Sequence, residues 1–189
     1  EPEAPAAAHA GHVMKDATIW DSVPRLFELV AEQAAVSTIM RLVMMSGDYV
    51  SSQVQERYRP VFPRAFFEAM GGATEASIWS IHFGISYERP RQIAGVAYGR
   101  TLRNQSMWVI DDRGRLTTER GQIFIAGDGV AKEYFQLTER SKRSFMFLPQ
   151  LQQLAYATGD LGRYLADGTI EFLGRSDFQL KISGFRVEA

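Results

Sequence analysis

The chain has 189 residues, of which 46% are apolar and 12% aromatic, so it is long enough to bury a sizeable core. Its 21 Lys and Arg residues nearly cancel its 22 Asp and Glu residues, which disfavours nucleic acid and anionic membranes as partners. It contains no Cys, no apolar run that spans a bilayer and no signal-peptide pattern, so we expect a cytoplasmic protein without disulfides.

The first part of the chain alternates between helical and strand patterns. The Ala-rich residues 1–17 favour a helix, and ATIWDSVP favours a strand that ends near Ser22. Apolar residues at helical spacing from Val23 to Ala34 predict a second helix, with Ser22 placed to cap it.

The run STIMRLVMMSG has the continuous apolar character of a strand that is covered on both faces of a parallel sheet. Residues 51–59 predict a short helix, and RAFFEAMGG predicts another strand. This alternation predicts an α/β layer, in which ligands bind at the carboxyl ends of the strands. The loops after Ser46 and Met70 lie at such ends.

Beyond Glu75 the pattern changes to short strands in SMWVIDD, GQIFIAG, TIEFLG and FQLKISG, separated by turns that contain Gly. This section is therefore predicted to be rich in β-structure. His9 and His12 share a helical spacing, but a metal site needs further ligands that are not nearby, so we expect a surface pair. His82 is expected to be structural.

Three blocks occur in a fixed order: EAMGGATEASIWSI, GQIFIAGDGVAKEYF and YATGDLGRYLADGTIEFLGRSDFQLKISGFRVE. Together they resemble the signature blocks of amino-acid adenylation domains of nonribosomal peptide synthetases, within the ANL superfamily of adenylate-forming enzymes. The resemblance covers nearly all of the chain and the middle of such a domain. It implies a partial ANL-type α/β fold, with residues 1–176 in the large N-terminal subdomain. Residues 177–189 then hold the hinge, at Asp177, and the first strands of the C-terminal lid.

Residue chemistry alone allows GGATE to lie close to a nucleotide, because Gly71 and Gly72 let backbone approach a ligand, and Thr74 and Glu75 add a hydroxyl and a carboxylate. A plain turn is the alternative. The resemblance implies that Thr74 lies near the α-phosphate, that Glu75 helps to hold Mg²⁺, and that residues 71–73, including Ala73, face the adenine and ribose.

The later blocks carry further implied roles. The resemblance implies that Asp160 accepts hydrogen bonds from the ribose hydroxyls, that Phe172 packs on the adenine, and that Arg175 lies near the ribose and phosphate. Lys181 enters the active site for the thioester step. Taken alone, Asp160 fits a surface turn, Phe172 fits a core aromatic, and Lys181 fits a solvated strand residue. Gly71 departs from the stacking Tyr of many relatives, which gives Phe172 more weight.

Six residues align with the positions that line the substrate pocket of the family: Asp21, Met44, Ser46, Met70, Ile78 and Trp79. The Trp79 indole fills volume that a large substrate would need, so the pocket is predicted to be small. The set resembles that of cysteine-activating domains, with glycine and serine as alternatives. Asp21 departs from the usual Asn, and its carboxylate favours a hydroxyl or cationic side chain.

The resemblance implies that an amino acid reacts with Mg-ATP to give an aminoacyl adenylate and pyrophosphate, and is then loaded onto the phosphopantetheine of a peptidyl carrier domain. The phosphate loop, the Asp that holds the ammonium group and the late lid Lys are not in the chain, so we expect it to be a poor catalyst alone. An inserted tailoring domain after residue 189 and a small activator protein are further partners that the family allows. An acyl or aryl acid–CoA ligase and a non-catalytic scaffold are the alternative functions.

Overall fold

The computed structural model describes residues 14–85, 97–176, 180–182 and 185–187. The described residues form two compact units. The first comprises residues 14–70, 83–85, 180–182 and 185–187, and the second comprises Gly71–His82 and 97–176. His9, His12 and Asp177 lie outside the described residues, as does the side chain of Lys181. The boundary between residues 176 and 177 stays a prediction.

A sheet whose first three strands are parallel organises the first unit. β1 (Ile19–Ser22), β2 (Leu42–Met45) and β3 (Phe66–Gly71) lie side by side in this order, and β4 (Ile81–Ile85) follows β3 in the sheet. Alternate residues point into the core, where Val43, Met45 and Phe67 are at most 2% exposed. The α/β layer predicted from the sequence is therefore present.

Two helices cover this sheet: α1 (Pro24–Ala31) and α2 (Val54–Tyr58). Phe27 and Val30 of α1 are buried at helical spacing, as predicted. The prediction that Ser22 caps α1 is wrong, because the N-cap is Val23 and no side chain caps the helix. The Ser22 hydroxyl instead accepts a hydrogen bond from the Trp20 indole at 2.8 Å and donates to the Val23 carbonyl.

Antiparallel strands dominate the second unit. Its helix and strands are β5 (Arg100–Thr101), β6 (Gln105–Ile110), β7 (Gly121–Gly127), α3 (Thr138–Ser144), β8 (Phe145–Leu148), β9 (Gln153–Tyr164) and β10 (Ile170–Arg175). The main sheet has the order β10-β9-β7-β6, and β8 also pairs with β9. The predicted β-rich section is confirmed, and β11 (Leu180–Ile182) and β12 (Phe185–Val187) form a separate antiparallel pair.

Strand β9 holds the main surprise in this unit. The sequence YATGD indicates a turn, yet it lies inside a strand of 12 residues. Gly159 has a φ of 78°, and the register between β7 and β9 shifts here, so residues 158–160 oppose a single residue, Ile123. The glycine therefore makes a bulge rather than a turn.

None of the described helices combines the length and apolar character needed to cross a bilayer.

Candidate active site

The loop from Gly71 to Ser80 belongs to the second unit and is closed by its own backbone. The Ser80 N–H donates to the Gly71 carbonyl at 2.8 Å. Between these ends, Thr74–Ala76 form one turn of 3₁₀ helix. A Cβ on Gly72 would lie 2.4 Å from the Ile78 carbonyl oxygen, so the tight fold of this loop requires glycine. Thr74 is exposed at the surface of the loop, whereas Glu75 is buried.

Glu75 is held in a fixed orientation. The Tyr134 hydroxyl donates a 2.6 Å hydrogen bond to Oε1 of Glu75, and the Ala131 N–H donates to the Glu75 carbonyl at 2.8 Å. Tyr134 is itself fixed, because its N–H donates to Ser141 Oγ and the Arg140 guanidinium lies 4.9 Å from its ring centre. The carboxylate is therefore oriented before any ligand arrives.

Mg²⁺ fits a site of this kind. In the described part of the chain no group of three or more His, Cys, Asp or Glu side chains lies close enough to hold a metal ion. Mg²⁺ commonly binds one or two carboxylates together with substrate phosphates and water, so a single oriented carboxylate such as Glu75 suffices beside a nucleotide. The ion-holding role of Glu75 stays a prediction.

Asp160 and Arg175 form a buried ion pair, which the sequence did not predict. Arg175 Nη1 donates to Asp160 Oδ1 at 2.7 Å, and the two side chains are 15% and 10% exposed. The residues are register partners on β10 and β9. The bulge helps to aim the carboxylate, because the Asp160 N–H donates to Thr158 Oγ1 at 3.0 Å and Thr158 Oγ1 donates to the Ile123 carbonyl.

Tyr98 joins these residues and was not singled out from the sequence. Its hydroxyl interacts with the Asp160 carboxylate and with the Gly72 backbone. Burial, followed by the negative charge of Asp160, raises the pKa of Tyr98 above its ordinary range, so the hydroxyl keeps its proton at neutral pH. Its ring centre lies 5.9 Å from that of Phe172, which is 46% exposed. The aromatic pair and the carboxylate thus form one cluster.

The predicted substrate residues of the first unit share one face of its sheet. Asp21, Met44 and Glu68 are register partners across β1, β2 and β3, so they form a row on the less buried face. Met70 lies two residues beyond Glu68 on the same face, and Ser46 follows the end of β2. Partial burial raises the pKa of Asp21. Glu68, a carboxylate between apolar residues in FFEAMG, joins this row and was not among the predicted substrate residues.

The other two predicted substrate residues, Ile78 and Trp79, lie in the second unit. Ser77 and Ile78 both have left-handed backbone, with φ of 60° and 70°. Gln105 Nε2 donates to the Trp79 carbonyl at 2.8 Å and Ser77 Oγ donates to the Gly129 carbonyl at 2.9 Å. These bonds hold the strained segment, since left-handed backbone is costly for a β-branched residue such as Ile78.

Residues 2–135 match the family model described as AMP-binding enzyme. The chain belongs to this family. It is 42% identical over 180 residues to pyochelin synthetase PchF of Pseudomonas aeruginosa, covering 90% of this chain and 10% of that protein. It therefore spans a small part of the curated relatives that it matches.

Solved structures agree with this assignment. The α-methyl-L-serine-AMP-bound form of the nonribosomal peptide synthetase FmoA3 is 35% identical, with a TM-score of 0.80 over 89% of this chain and 20% of that one. NpsA–ThdA, an artificially fused adenylation–PCP di-domain from Klebsiella oxytoca, is 29% identical, with a TM-score of 0.81 over 100% of this chain and 35% of that one. The resemblance to synthetase adenylation domains and the partial ANL-type fold are thereby confirmed.

The strained Ile78 of this AMP-binding enzyme gives a first prediction. Ile78 is 66% exposed, so it gains little from burial that offsets its left-handed backbone. Asn tolerates this conformation, and we expect Ile78→Asn to raise the free energy of unfolding of the intact protein by about 1 kcal/mol. Val36 is similarly exposed, at 67%, and is not among the described residues with positive φ. Val36→Asn should therefore give no gain in chemical denaturation, and an equal gain in both variants would contradict the strain argument.

Proposed function

We propose that this chain supplies the nucleotide-binding part of an enzyme that activates an amino acid with ATP, forming an aminoacyl adenylate and pyrophosphate. The observation that carries the proposal is a pair of buried, oriented carboxylates. Asp160 is held by Arg175 and Tyr98, and Glu75 is held by Tyr134. Burying a carboxylate is costly, so two that are each held by directional hydrogen bonds fit a site built to recognise a polar ligand.

The chemistry needs positioning more than proton transfer. A carboxylate oxygen of the amino acid attacks the α-phosphorus of ATP, the bond from that phosphorus to the bridging oxygen breaks, and pyrophosphate leaves. The attacking carboxylate is already ionised, so no base is required. In the proposal Asp160 accepts the ribose hydroxyls, Thr74 donates to an α-phosphate oxygen, and Arg175 adds positive charge. When Mg²⁺ is bound beside Glu75, it neutralises phosphate charge.

The second half-reaction in the proposal loads a carrier domain. The thiol sulfur of its phosphopantetheine attacks the aminoacyl carbonyl, the thiol proton is lost, and AMP leaves with the bonding electrons. The similarity to an adenylation–PCP fusion supports a carrier partner. Asp177 as the hinge and Lys181 as a residue that approaches the site belong to this part of the proposal. An inserted tailoring domain and a small activator protein are partners that the same proposal includes.

The amino acid is proposed to be small, with cysteine first and serine or glycine next. Met44, Ser46, Ile78 and Trp79 carry the likeness to cysteine-activating domains. Asp21 is the residue that departs from it. Its partial burial raises its pKa, which weakens its charge as the pH falls. A substrate hydroxyl or cation paired with Asp21 should therefore bind less well at low pH.

The second prediction tests this substrate assignment. ATP–pyrophosphate exchange by the intact protein should be greatest with cysteine in a panel that also contains serine, glycine, lysine and ornithine. Asp21→Asn should raise kcat/KM for cysteine and lower that for any cationic amino acid, because the amide removes the charge. Exchange that is greatest with a large aromatic amino acid would contradict a small pocket. ATP binding without exchange would favour the scaffold alternative.

A further inference from the structure

Tyr98 and Gly71 fit together as a matched pair in the second unit. A Cβ on Gly71 would lie 2.2 Å from Cε2 of the Tyr98 ring and 2.9 Å from its Cδ2. Gly71 does not have a positive φ, so its backbone would accept any residue. The Tyr98 ring, together with Ile81 Cγ2 at 2.8 Å, therefore excludes a side chain at position 71.

The same ring brings a hydroxyl to Asp160. The Tyr98 hydroxyl interacts with the Asp160 carboxylate, to which it can only donate because it keeps its proton, and with the Gly72 backbone. Arg175 Nη1 binds Oδ1 of the same carboxylate at 2.7 Å. Two donors at different positions fix both the plane and the direction of a carboxylate far better than one. The ring edge of Tyr98 also supports Phe172, at a centre-to-centre distance of 5.9 Å.

We propose that Tyr98 is a positioning residue for nucleotide binding, which holds the Asp160 carboxylate in the orientation that accepts the two ribose hydroxyls. The inference rests on the proposed function, because it assumes that Asp160 binds ribose. It adds a residue outside the sequence blocks that carry the family resemblance. It also explains why position 71 is glycine, since a side chain there would clash with the Tyr98 ring.

The third prediction separates an orienting role from plain packing. We compare the dissociation constants of ATP and 2′,3′-dideoxy-ATP for the intact protein by calorimetry. Tyr98→Phe keeps the ring and removes only the hydroxyl. It should weaken ATP binding about three- to tenfold and leave dideoxy-ATP binding unchanged, so the preference for ATP shrinks by that factor. Gly71→Ala should also lower the preference, because its Cβ displaces the ring that carries the hydroxyl.

Tyr164→Phe is the matched control. Tyr164 lies in the same unit, and its hydroxyl donates to the Met107 carbonyl at 2.8 Å rather than to Asp160. Its loss should leave the preference for ATP unchanged. All variants are compared at a temperature below the midpoint of their thermal unfolding. A Tyr98→Phe variant that keeps the wild-type preference, or that weakens both nucleotides equally, overturns the inference and leaves the proposed function standing. Failure of the wild-type protein to bind ATP overturns the proposed function itself.

Discussion

Replacing Asp160 with Asn is expected to lower kcat/KM for ATP roughly ten- to a hundredfold, because charged hydrogen bonds contribute about 1.5–3 kcal/mol each. The amide keeps the size of the side chain but has one acceptor and no charge, so it binds ribose hydroxyls and Arg175 less well. Arg175 is only 15% exposed and loses its charged hydrogen bond to Asp160, so the free energy of unfolding should also fall by about 1.5–3 kcal/mol. Exchange kinetics with ATP as the varied substrate and urea denaturation measure the two effects.

A second Asp–Arg pair in the same unit provides the control for this variant. Arg115 binds Asp111 at 2.8 Å, but its side chain is 66% exposed. Asp111→Asn removes the same chemical pair from the surface and should leave kcat/KM for ATP unchanged. Equal losses in the two variants would show that the Asp160 result reflects general charge rather than nucleotide binding.

Replacing Glu75 with Gln is expected to reduce kcat by roughly 10²-fold at moderate Mg²⁺ concentration, because the amide is a poor ligand for a hard cation. The Gln side chain still accepts the Tyr134 hydrogen bond, so the loop should keep its structure. The diagnostic measurement is exchange rate against Mg²⁺ concentration. The variant should need a higher concentration for half-maximal rate, and its rate should partly recover at high Mg²⁺.

Glu133 supplies the control for the metal prediction, since it is an exposed carboxylate in the same unit. Glu133→Gln should leave both the rate and its dependence on Mg²⁺ unchanged. If Glu75→Gln lowers the rate by the same factor at every Mg²⁺ concentration, then Glu75 acts through the structure of the loop and not through the metal ion.

Much of the fold could be predicted because local pattern and final environment agree. The apolar LVMM segment became a central parallel strand, and GQIFIAG became β7 over the same residues. YATGD could not be read correctly, because a glycine in a bulge and a glycine in a turn have the same local sequence. Only the pairing of β9 with β7 distinguishes the two.

The candidate site, too, could be predicted only in part from local sequence. Thr74, Glu75 and Asp160 stand in recognisable blocks, so the sequence singled them out, and their joint role at one site stays a prediction. Tyr98 was not singled out, because its role depends on contacts with Gly71 and Asp160 that are distant in sequence. The ion pair of Arg175 with Asp160 was missed for a related reason, since the pairing register of β9 and β10 fixes it.

The most direct test of the account is amino-acid-dependent ATP–pyrophosphate exchange by the intact protein. We expect exchange that requires ATP, Mg²⁺ and one small amino acid together, that falls at least roughly tenfold in Asp160→Asn, and that is unchanged in Asp111→Asn. Absence of exchange with every amino acid tested, in a protein that is folded and binds ATP, would contradict the claim that these residues serve amino-acid adenylation.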